Sequence, residues 1–357
     1  MENAKMHDIS TDILALSGEA AVLVRRNTVC FANAPARHIL GADCQGKGLK
    51  QLLGPGVAET QAPSFIVDLS IGGSRYAVRV NRFEDAQLIF LRPCDASPLL
   101  LNDALIYSMR NSLMNYSLSA DMLRARAEEQ GDAQLLEALR PITHSYYRMM
   151  RVLTNASTVL AVTQGSVLFS PEQLDLTALA ASLADTVNML YPQVELKLLC
   201  EQVQPIIADR QLVELILLNL ISNSLVHGKG CTRVSLSLID GRDSLILSVD
   251  DDGCGIAPEQ LGSVFDRYCH GFDMGSMLSG AGLGLTVARS AAHLHGGTLL
   301  LESRQGRGTT VRVSLSRRLS AAALRSPRNI WEGGMQSILT GLADCLPDIC
   351  YTEKYLD

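Results

Sequence analysis

The sequence predicts an α+β protein in three parts: a small module of strands and short helices, a helical hairpin, and a C-terminal layer of helices over a mixed sheet. Three observations support this class. Short β-rich runs occupy residues 20–92, two apolar stripes with helical spacing follow in residues 98–160, and helices alternate with strands through residues 174–315. The predicted domain boundaries are 1–97, 98–165 and 166–318, followed by a tail at 319–357.

The composition of the 357-residue chain narrows the class of protein. Hydrophobic residues make up 47% and charged residues 19%, so the chain can bury ordinary cores. The net charge of -6 and the lack of a basic run argue against a nucleic-acid partner. Nine cysteines without a C-x-x-C pair favour reduced thiols in the cytoplasm. Because Glu214, Asn219 and Asn223 interrupt the most apolar stretch, we expect no membrane span and a soluble chain.

Residues 20–92 contain the first module. Two β-rich runs flank Asn27, a turn-forming residue, so a hairpin is expected there. Helices are predicted at Ala34–Leu40 and Leu49–Leu53, and three further strands follow them. This order of elements resembles that of a PAS domain, a module that often binds a small ligand or dimerises. A small α+β domain of another kind is the alternative.

Residues 98–160 carry two amphipathic stripes. Two such helices joined by a short loop fold back antiparallel. One hairpin has too little apolar surface to be stable alone, so a second copy is expected to complete a homodimeric four-helix bundle. Pro141 is expected to kink or interrupt the second helix. The stripes are Leu105, Met109, Leu113, Tyr116, Ala120, Leu123 and Ala127, and then Leu135, Leu139, Ile142, Tyr146, Met149, Leu153 and Ala156.

Polar residues that suit a nucleotide lie in the C-terminal part. Asn219 and Asn223 are four apart, so on a helix both amides project from one face. An amide oxygen suits Mg²⁺ and an amide nitrogen can donate to phosphate, although a solvated helix face would look the same. After an apolar strand, Asp251 can accept a hydrogen bond from adenine, and Gly253 and Gly255 let the backbone approach a flat ring. A plain turn is the alternative.

Two further segments extend this pattern. Gly280, Gly282 and Gly284 precede a predicted helix, whose N-terminal N–H groups favour phosphate. No strand clearly precedes these glycines, which argues against a dinucleotide-binding unit, and the lack of a Walker lysine excludes a P-loop. Phe265 lies before a loop at 269–279 whose Gly and Ser content suits a nucleotide lid. Alternatively, Phe265 packs into the core.

The joint order of these segments resembles the ATPase domain that histidine kinases share with gyrase, Hsp90 and MutL (the GHKL group), a Bergerat-type α/β sandwich. Asp209 ahead of the Asn helix agrees with it. The resemblance implies ATP and Mg²⁺ as cofactors, with Asn223 binding Mg²⁺ and Asp251 holding adenine. Asn219 stands where the hydrolytic members carry a catalytic Glu, which fits a kinase that spares ATP from water.

The resemblance also implies a set of nucleotide-contacting residues. Two positions that usually carry basic side chains are altered, Val226 and His270, so nucleotide affinity is expected to be weaker than in the family at large. The implied set is Asn219, Asn223, Asp251, Gly253, Gly255, Ile256, Phe265, Gly280, Gly282, Leu283, Gly284, Leu285 and Thr309.

The first hairpin helix departs from the family pattern. Histidine kinases carry a phosphoacceptor His in a stretch such as H-E-L-R-x-P-L, and Tyr107 stands at this position, with Arg110, Asn111 and Leu113 matching. Tyr107 is expected to face outward, but a phenol is a poorer nucleophile than imidazole near neutral pH. His144 is expected about 15 Å from Tyr107 along the bundle, where a surface or interface role suits it better.

The resemblance implies a sensor kinase of the two-component class. Such a protein is a transferase in signal transduction, and it would act as a homodimer through the hairpin with a response regulator as its partner. The alternative is a non-catalytic pseudokinase regulator of the same architecture, which Tyr107 favours. A serine kinase of the anti-sigma type is a third reading, and the first module and hairpin argue against it.

Overall fold

The computed structural model of the protein is α+β, as the sequence predicts. A single large sheet runs through it, and long helices lie beside that sheet. The structure describes residue 14 and residues 19–60, 62–83, 86–93, 103–164, 169–200, 203–257, 259–261, 264, 283–318 and 335–352.

The N-terminal module has the predicted order of two strands, short helices and three strands. Arg26 and Asn27 form the turn of the first hairpin with positive φ angles of 46° and 62°. The strands lie antiparallel in the order β2-β1-β5-β4-β3. The elements are β1 (Ala20–Arg25), β2 (Thr28–Ala32), α1 (Ala34–Leu40), α2 (Leu49–Leu53), α3 (Pro55–Glu59), β3 (Ser64–Ile71), β4 (Ser74–Arg82) and β5 (Ala86–Pro93).

Two long helices, α4 (Asp103–Gln130) and α5 (Ala133–Gln164), form the predicted hairpin. Leu113 packs against Met150 and Leu153, and Arg124 donates to Thr143 at 2.8 Å, which sets the antiparallel register.

Helix α5 continues through Pro141, so the expected interruption does not occur. Proline removes one helical hydrogen bond at that point. Side-chain packing against α4 on both sides of Pro141 supports the helix, since Leu139 and Leu153 are both buried.

The C-terminal part is a layer of helices over a mixed sheet. Strand β7 runs parallel to β9, and the other neighbours are antiparallel, in the order β11-β12-β10-β9-β7. Alternate strand residues are buried under the helices in one core. The elements are β6 (Glu172–Leu174), α6 (Leu176–Leu190), β7 (Glu195–Leu199), β8 (Ile206–Ala208), α7 (Arg210–His227), β9 (Arg233–Asp240), β10 (Ser244–Asp251), α8 (Leu283–Leu294), β11 (Leu299–Arg304) and β12 (Gly308–Ser316).

The sheets of the first and third parts are continuous. Strand β3 pairs antiparallel with β11, so all strands except the small β6–β8 pair form one ten-stranded sheet. The sequence predicts two separate parts, because edge pairing between distant strands leaves no local signal.

The predicted tail contains a packed segment. Helix α9 (Met335–Gly341) and a 3₁₀ turn (Asp348–Cys350) lie against the core of the C-terminal part. Tyr351 is 1% exposed and donates to the Leu339 carbonyl at 3.0 Å. In the described part of the chain, every helix is too short or too polar to cross a bilayer.

Candidate nucleotide-binding site

Asp251 ends strand β10 with its carboxylate turned into the protein. The residue is 6% exposed, and its Oδ1 accepts from the backbone N–H groups of Gly253 at 3.1 Å and Thr309 at 3.3 Å. A side-chain hydrogen bond from Ser224 adds to these. Burial raises the pKa of Asp251 despite the three donors. The site therefore holds a preoriented, partly desolvated carboxyl group.

The neighbouring Asp252 faces outward and has a structural role. It accepts from the backbone of Thr232 at 2.8 Å and of Arg233 at 3.0 Å. Burial alone would raise the pKa of Asp252, but the hydrogen bonds from Thr232 and Arg233 lower it below the usual value. Strand alternation thus gives the two adjacent carboxylates different environments.

Asn219 and Asn223 lie on one face of helix α7, as their spacing predicts. Both amides face helix α8, since a Cβ added at Gly284 would stand 3.1 Å from Asn223 Oδ1 and 3.2 Å from Asn219 Oδ1. Asn219 is 2% exposed, whereas Asn223 is half-buried and has no hydrogen-bond partner among the described residues. The Asn223 amide is therefore the more accessible of the two.

The amide of Asn219 is engaged by the hairpin. Its Nδ2 donates to Asn155 Oδ1 at 3.2 Å and to the Leu215 carbonyl at 2.9 Å, and Asn155 Nδ2 donates back to Asn219 Oδ1 at 3.1 Å. Asn155 is 4% exposed on helix α5. A reciprocal amide pair thus joins the hairpin to the helix that carries the predicted magnesium ligand.

Two glycines near Asp251 allow close backbone contacts. Gly255 has a φ of 62°, and a Cβ there would stand 2.2 Å from the Arg304 carbonyl oxygen. Gly308 has a φ of 98°, and a Cβ there would stand 1.8 Å from the Asp251 carbonyl oxygen. The sequence predicts that the glycine at 255 lets the backbone approach a flat ring, and within the protein this glycine lies close to the Arg304 backbone.

The structure brings three of the predicted motif segments together on helix α7. Ser224 links the last turns of this helix to Asp251, and the preceding Asn223 and Asn219, about one turn apart, lie against Gly284. Four further members of the implied nucleotide-contacting set are also described. They are Leu283, which is buried, and Leu285, Ile256 and Thr309, which are half-buried.

Some predicted residues lie outside the described residues. They are Phe265, Gly280, Gly282, His270 and the proposed lid at 269–279. Val226, at a position that is often basic in the family, is 39% exposed.

Sequence reasoning missed two polar contacts that support the site. Asn155 interrupts the apolar surface of α5, and such a polar residue amid a hydrophobic stripe was an available signal.

His295 is fully buried and accepts from the Asp209 N–H at 2.9 Å. Asp209 in turn caps α7 by accepting from Leu212 N–H at 3.2 Å. Pairing between positions 86 residues apart leaves no pattern in a sequence.

The hairpin places its two candidate acceptors differently. Tyr107 is 68% exposed on α4, as predicted. His144 is an interface residue: its Nδ1 contacts Asp348, its Nε2 lies 2.6 Å from the Ala343 carbonyl, and its ring stacks on Tyr351 at 4.7 Å. Both ring nitrogens are engaged, so His144 is poorly placed to accept a phosphoryl group.

Comparisons with known proteins agree with this arrangement. Residues 208–319 match the family of the histidine kinase-, DNA gyrase B-, and HSP90-like ATPase. The sensor-type histidine kinase PrrB of Mycobacterium leprae is 29% identical over 187 residues, which cover 52% of this chain and 41% of that protein. The histidine protein kinase DivJ of Caulobacter vibrioides is 37% identical over 120 residues, which cover 34% of this chain and 20% of that protein.

This chain spans less than half the length of either of these relatives. Among solved structures, full-length ShkA in complex with AMPPNP has a TM-score of 0.49 and 19% identity, covering 62% of this chain and 46% of that chain. The match to the ATPase family covers residues 208–319 and no other part of the chain.

Proposed function

We propose that this chain, whose residues 208–319 belong to the ATPase family of histidine kinases, gyrase B and Hsp90, is a Mg-ATP-binding sensor kinase of the two-component class. The relatives it matches are sensor histidine kinases. Its reaction transfers the γ-phosphoryl group of ATP to a protein side chain, and its partner is a response regulator.

The observation that carries this proposal is the convergence of Asp251, Asn223 and Gly284 around helix α7. Asp251 presents a buried carboxylate that suits the exocyclic amine of adenine. Asn223 offers an amide oxygen, a hard ligand that suits Mg²⁺. The N-terminus of α8 favours phosphate. ATP supplies the transferable phosphoryl group, and these side chains bind and orient it.

The absence of a carboxylate at Asn219 supports transfer rather than hydrolysis. An amide cannot take a proton from water as a general base can. In the described residues the Asn219 amide is directed at Asn155 and Leu215. The site thereby keeps a general base away from the α7 face next to Gly284.

The hairpin supports a homodimer. Leu113, Ala120 and Ala127 of the predicted stripe are buried against α5, while its other members on α4 remain exposed. In the antiparallel register, Tyr116 lies level with Met149, and Leu123 with Ile142, so these four form one exposed apolar face. A second copy of the hairpin is the occupant that completes this face as a four-helix bundle.

The strand order and intervening helices of residues 20–93 support a PAS-like sensor role for the first module. Its signal would reach the ATPase part through the hairpin and through the shared sheet.

The binding half of the proposal is tested by titrating the full chain with Mg-ATP in a calorimeter. Asp251→Ala is expected to weaken binding about 10- to 150-fold, because it removes a charge-assisted acceptor worth about 1.5–3 kcal/mol. Asp252→Ala is the matched control, since that carboxylate faces outward. If the two variants bind Mg-ATP with equal affinity, adenine does not bind at Asp251.

The transfer half is tested by incubating the protein with γ-labelled ATP and Mg²⁺. We expect protein-bound label, and its stability in acid and base identifies the accepting side chain. Label that is stable to base but lost in acid indicates phosphohistidine. Intact ATP binding without any label would refute the kinase and support the non-catalytic regulator.

A further inference from the structure

The first module contacts the ATPase part directly, through the edge of its own sheet. Strand β3 pairs with β11 through Phe65 with Glu302, Ile66 with Leu301, and Val67 with Leu300. The module is therefore attached beside the nucleotide site as well as through the hairpin.

Strand alternation on β3 directs side chains into two different cores. Phe65 and Val67 belong to the core of the first module. Ile66 is fully buried in the core of the ATPase part, together with Ala77 from the neighbouring strand. Asp68 is two residues beyond Ile66 and so projects from the same face, toward the ATPase helices.

Asp68 meets two basic side chains of helix α8. Its Oδ2 lies 2.8 Å from His293 Nε2 and 3.7 Å from Arg289 Nε. Asp68 is 2% exposed, so its charge is stabilised by these partners rather than by water. A carboxylate of the first module is thus buried against the helix that follows the second glycine motif.

The two ends of helix α8 have different contacts. Its C-terminal end carries His293, which is held by Asp68, and its first turn carries Gly284, which lies against Asn219 and Asn223. The helix has 12 residues, or about 18 Å, and a helix of that length moves largely as one body. Displacement at His293 is therefore transmitted to the phosphate side of the site.

We infer that Asp68 is a positioning residue through which the first module restrains the nucleotide site. This inference rests on the proposed function, and it names the regulation of that site. With Asp68 on His293, the start of helix α8 is held so close to Asn219 and Asn223 that a Cβ at Gly284 would stand 3.2 Å and 3.1 Å from their Oδ1 atoms. In the inferred mechanism, a small shift of helix α8 widens this gap for the phosphates of the nucleotide. Loss of this contact favours the open arrangement and raises affinity for Mg-ATP, because a ligand shifts the equilibrium toward the state it binds better.

The test compares Asp68→Asn and His293→Gln with the wild-type full chain. Calorimetry with Mg-ATP is expected to give roughly fivefold tighter binding in both variants, within the usual range of coupling between sites. The double variant should be no tighter than either single variant, since both remove the same contact. Asp68→Glu keeps the charge and should restore most of the wild-type affinity.

Glu59→Gln is the matched control. It breaks the ion pair of Glu59 with Lys50, which also lies in the first module but is exposed on both sides. Its affinity for Mg-ATP should equal that of the wild type. If Asp68 had only a structural role, replacing it would lower both the stability of the protein and its affinity for Mg-ATP. If Asp68 restrains helix α8, replacing it raises the affinity for Mg-ATP.

Hydrogen exchange without nucleotide tests the restraint independently of ATP binding. Amides of helix α8 should exchange faster in Asp68→Asn and in His293→Gln than in Glu59→Gln. Unchanged exchange, or affinity that is unchanged or weaker in both variants, would overturn the inference. If wild-type protein binds no ATP but the exchange of helix α8 responds, the proposed function fails, while the restraint of helix α8 by Asp68 stands. Should one variant fold poorly, the other decides.

Discussion

The ATPase part and helix α4 of the hairpin differ in the burial of the residues singled out from the sequence. In the ATPase part, Asp251 and Asn219 are buried and fixed by hydrogen bonds to several chain segments. On α4, Tyr107 and Tyr116 are 68% and 65% exposed. The candidate nucleotide site is thus formed by contacts within one chain, whereas helix α4 leaves these two tyrosines exposed.

The departures from the family pattern therefore differ in their expected consequences. The residues predicted to orient a nucleotide meet in space through Ser224 and Gly284. Tyr107 is exposed on α4 and takes no part in these contacts, so a change there leaves the candidate site undisturbed. Val226 and His270 are the other two departures, and they are expected to weaken nucleotide affinity.

Replacing Tyr107 with His is expected to create or strongly raise autophosphorylation if only the acceptor is missing. Imidazole is a competent nucleophile near neutral pH, while the phenol titrates near pH 10. The measurement is acid-labile label from γ-labelled ATP. Tyr107→Phe is the control and should give no acid-labile label. No gain in the His variant would mean that the nucleotide site, too, departs from the family.

Tyr116→Glu is expected to dissociate the homodimer. The substitution places a carboxylate from each copy at the shared apolar face, and an uncompensated buried charge costs about 3–5 kcal/mol. Sedimentation velocity measures the shift from dimer to monomer. Met114→Glu is the control, because Met114 is 57% exposed on the opposite side of α4. If both variants remain dimeric, the hairpin face is not the interface.

Asn155→Ala is expected to lower the free energy of unfolding by about 1–3 kcal/mol, because it leaves the buried Asn219 amide with unmade hydrogen bonds. Urea unfolding measures the change. Asn111→Ala removes an exposed amide from α4 and should change stability little. Equal effects of the two substitutions would show that the amide pair does not hold the ATPase part to the hairpin.

The pH dependence of stability tests the buried His295. Burial lowers its pKa below the usual 6.5, and its Nε2 accepts from Asp209 N–H, which requires the neutral ring. Below pH 6.5 the unfolded chain therefore binds this proton before the folded one does, and stability falls as pH falls, by at most about 1.4 kcal/mol per pH unit. His295→Gln should flatten this dependence between pH 7 and 5 in thermal unfolding. An unchanged slope would contradict the assignment.

Local patterns predicted most elements of the fold. The sequence predicts a helix over Arg210–His227, and α7 has these bounds because Asp209 caps its start and Gly228 ends it. The sequence also predicts a helix over Thr286–His295, and α8 begins three residues earlier, at Leu283 within the glycine motif. The short β6–β8 pair was missed, since three-residue strands carry too little periodicity.

The candidate site was predictable as a set of residues but not as a set of contacts. The spacing of Asn219 and Asn223 placed both amides on one face, and the structure confirms that geometry. It also assigns one amide to Asn155, which no local pattern could distinguish from the other. The glycine at 255 is a close-approach position, as predicted, and its neighbour within the protein is the Arg304 backbone, which the sequence did not indicate.

The types of secondary structure and the polar motifs could be predicted from the sequence alone, because periodicity, capping and residue chemistry act over a few positions. Only the tertiary structure shows that β3 pairs with β11, that Asp68 is buried beside His293, and that Tyr351 packs into the core. These contacts connect residues more than a hundred positions apart. They depend on complementary surfaces that exist only after folding, so no local pattern encodes them.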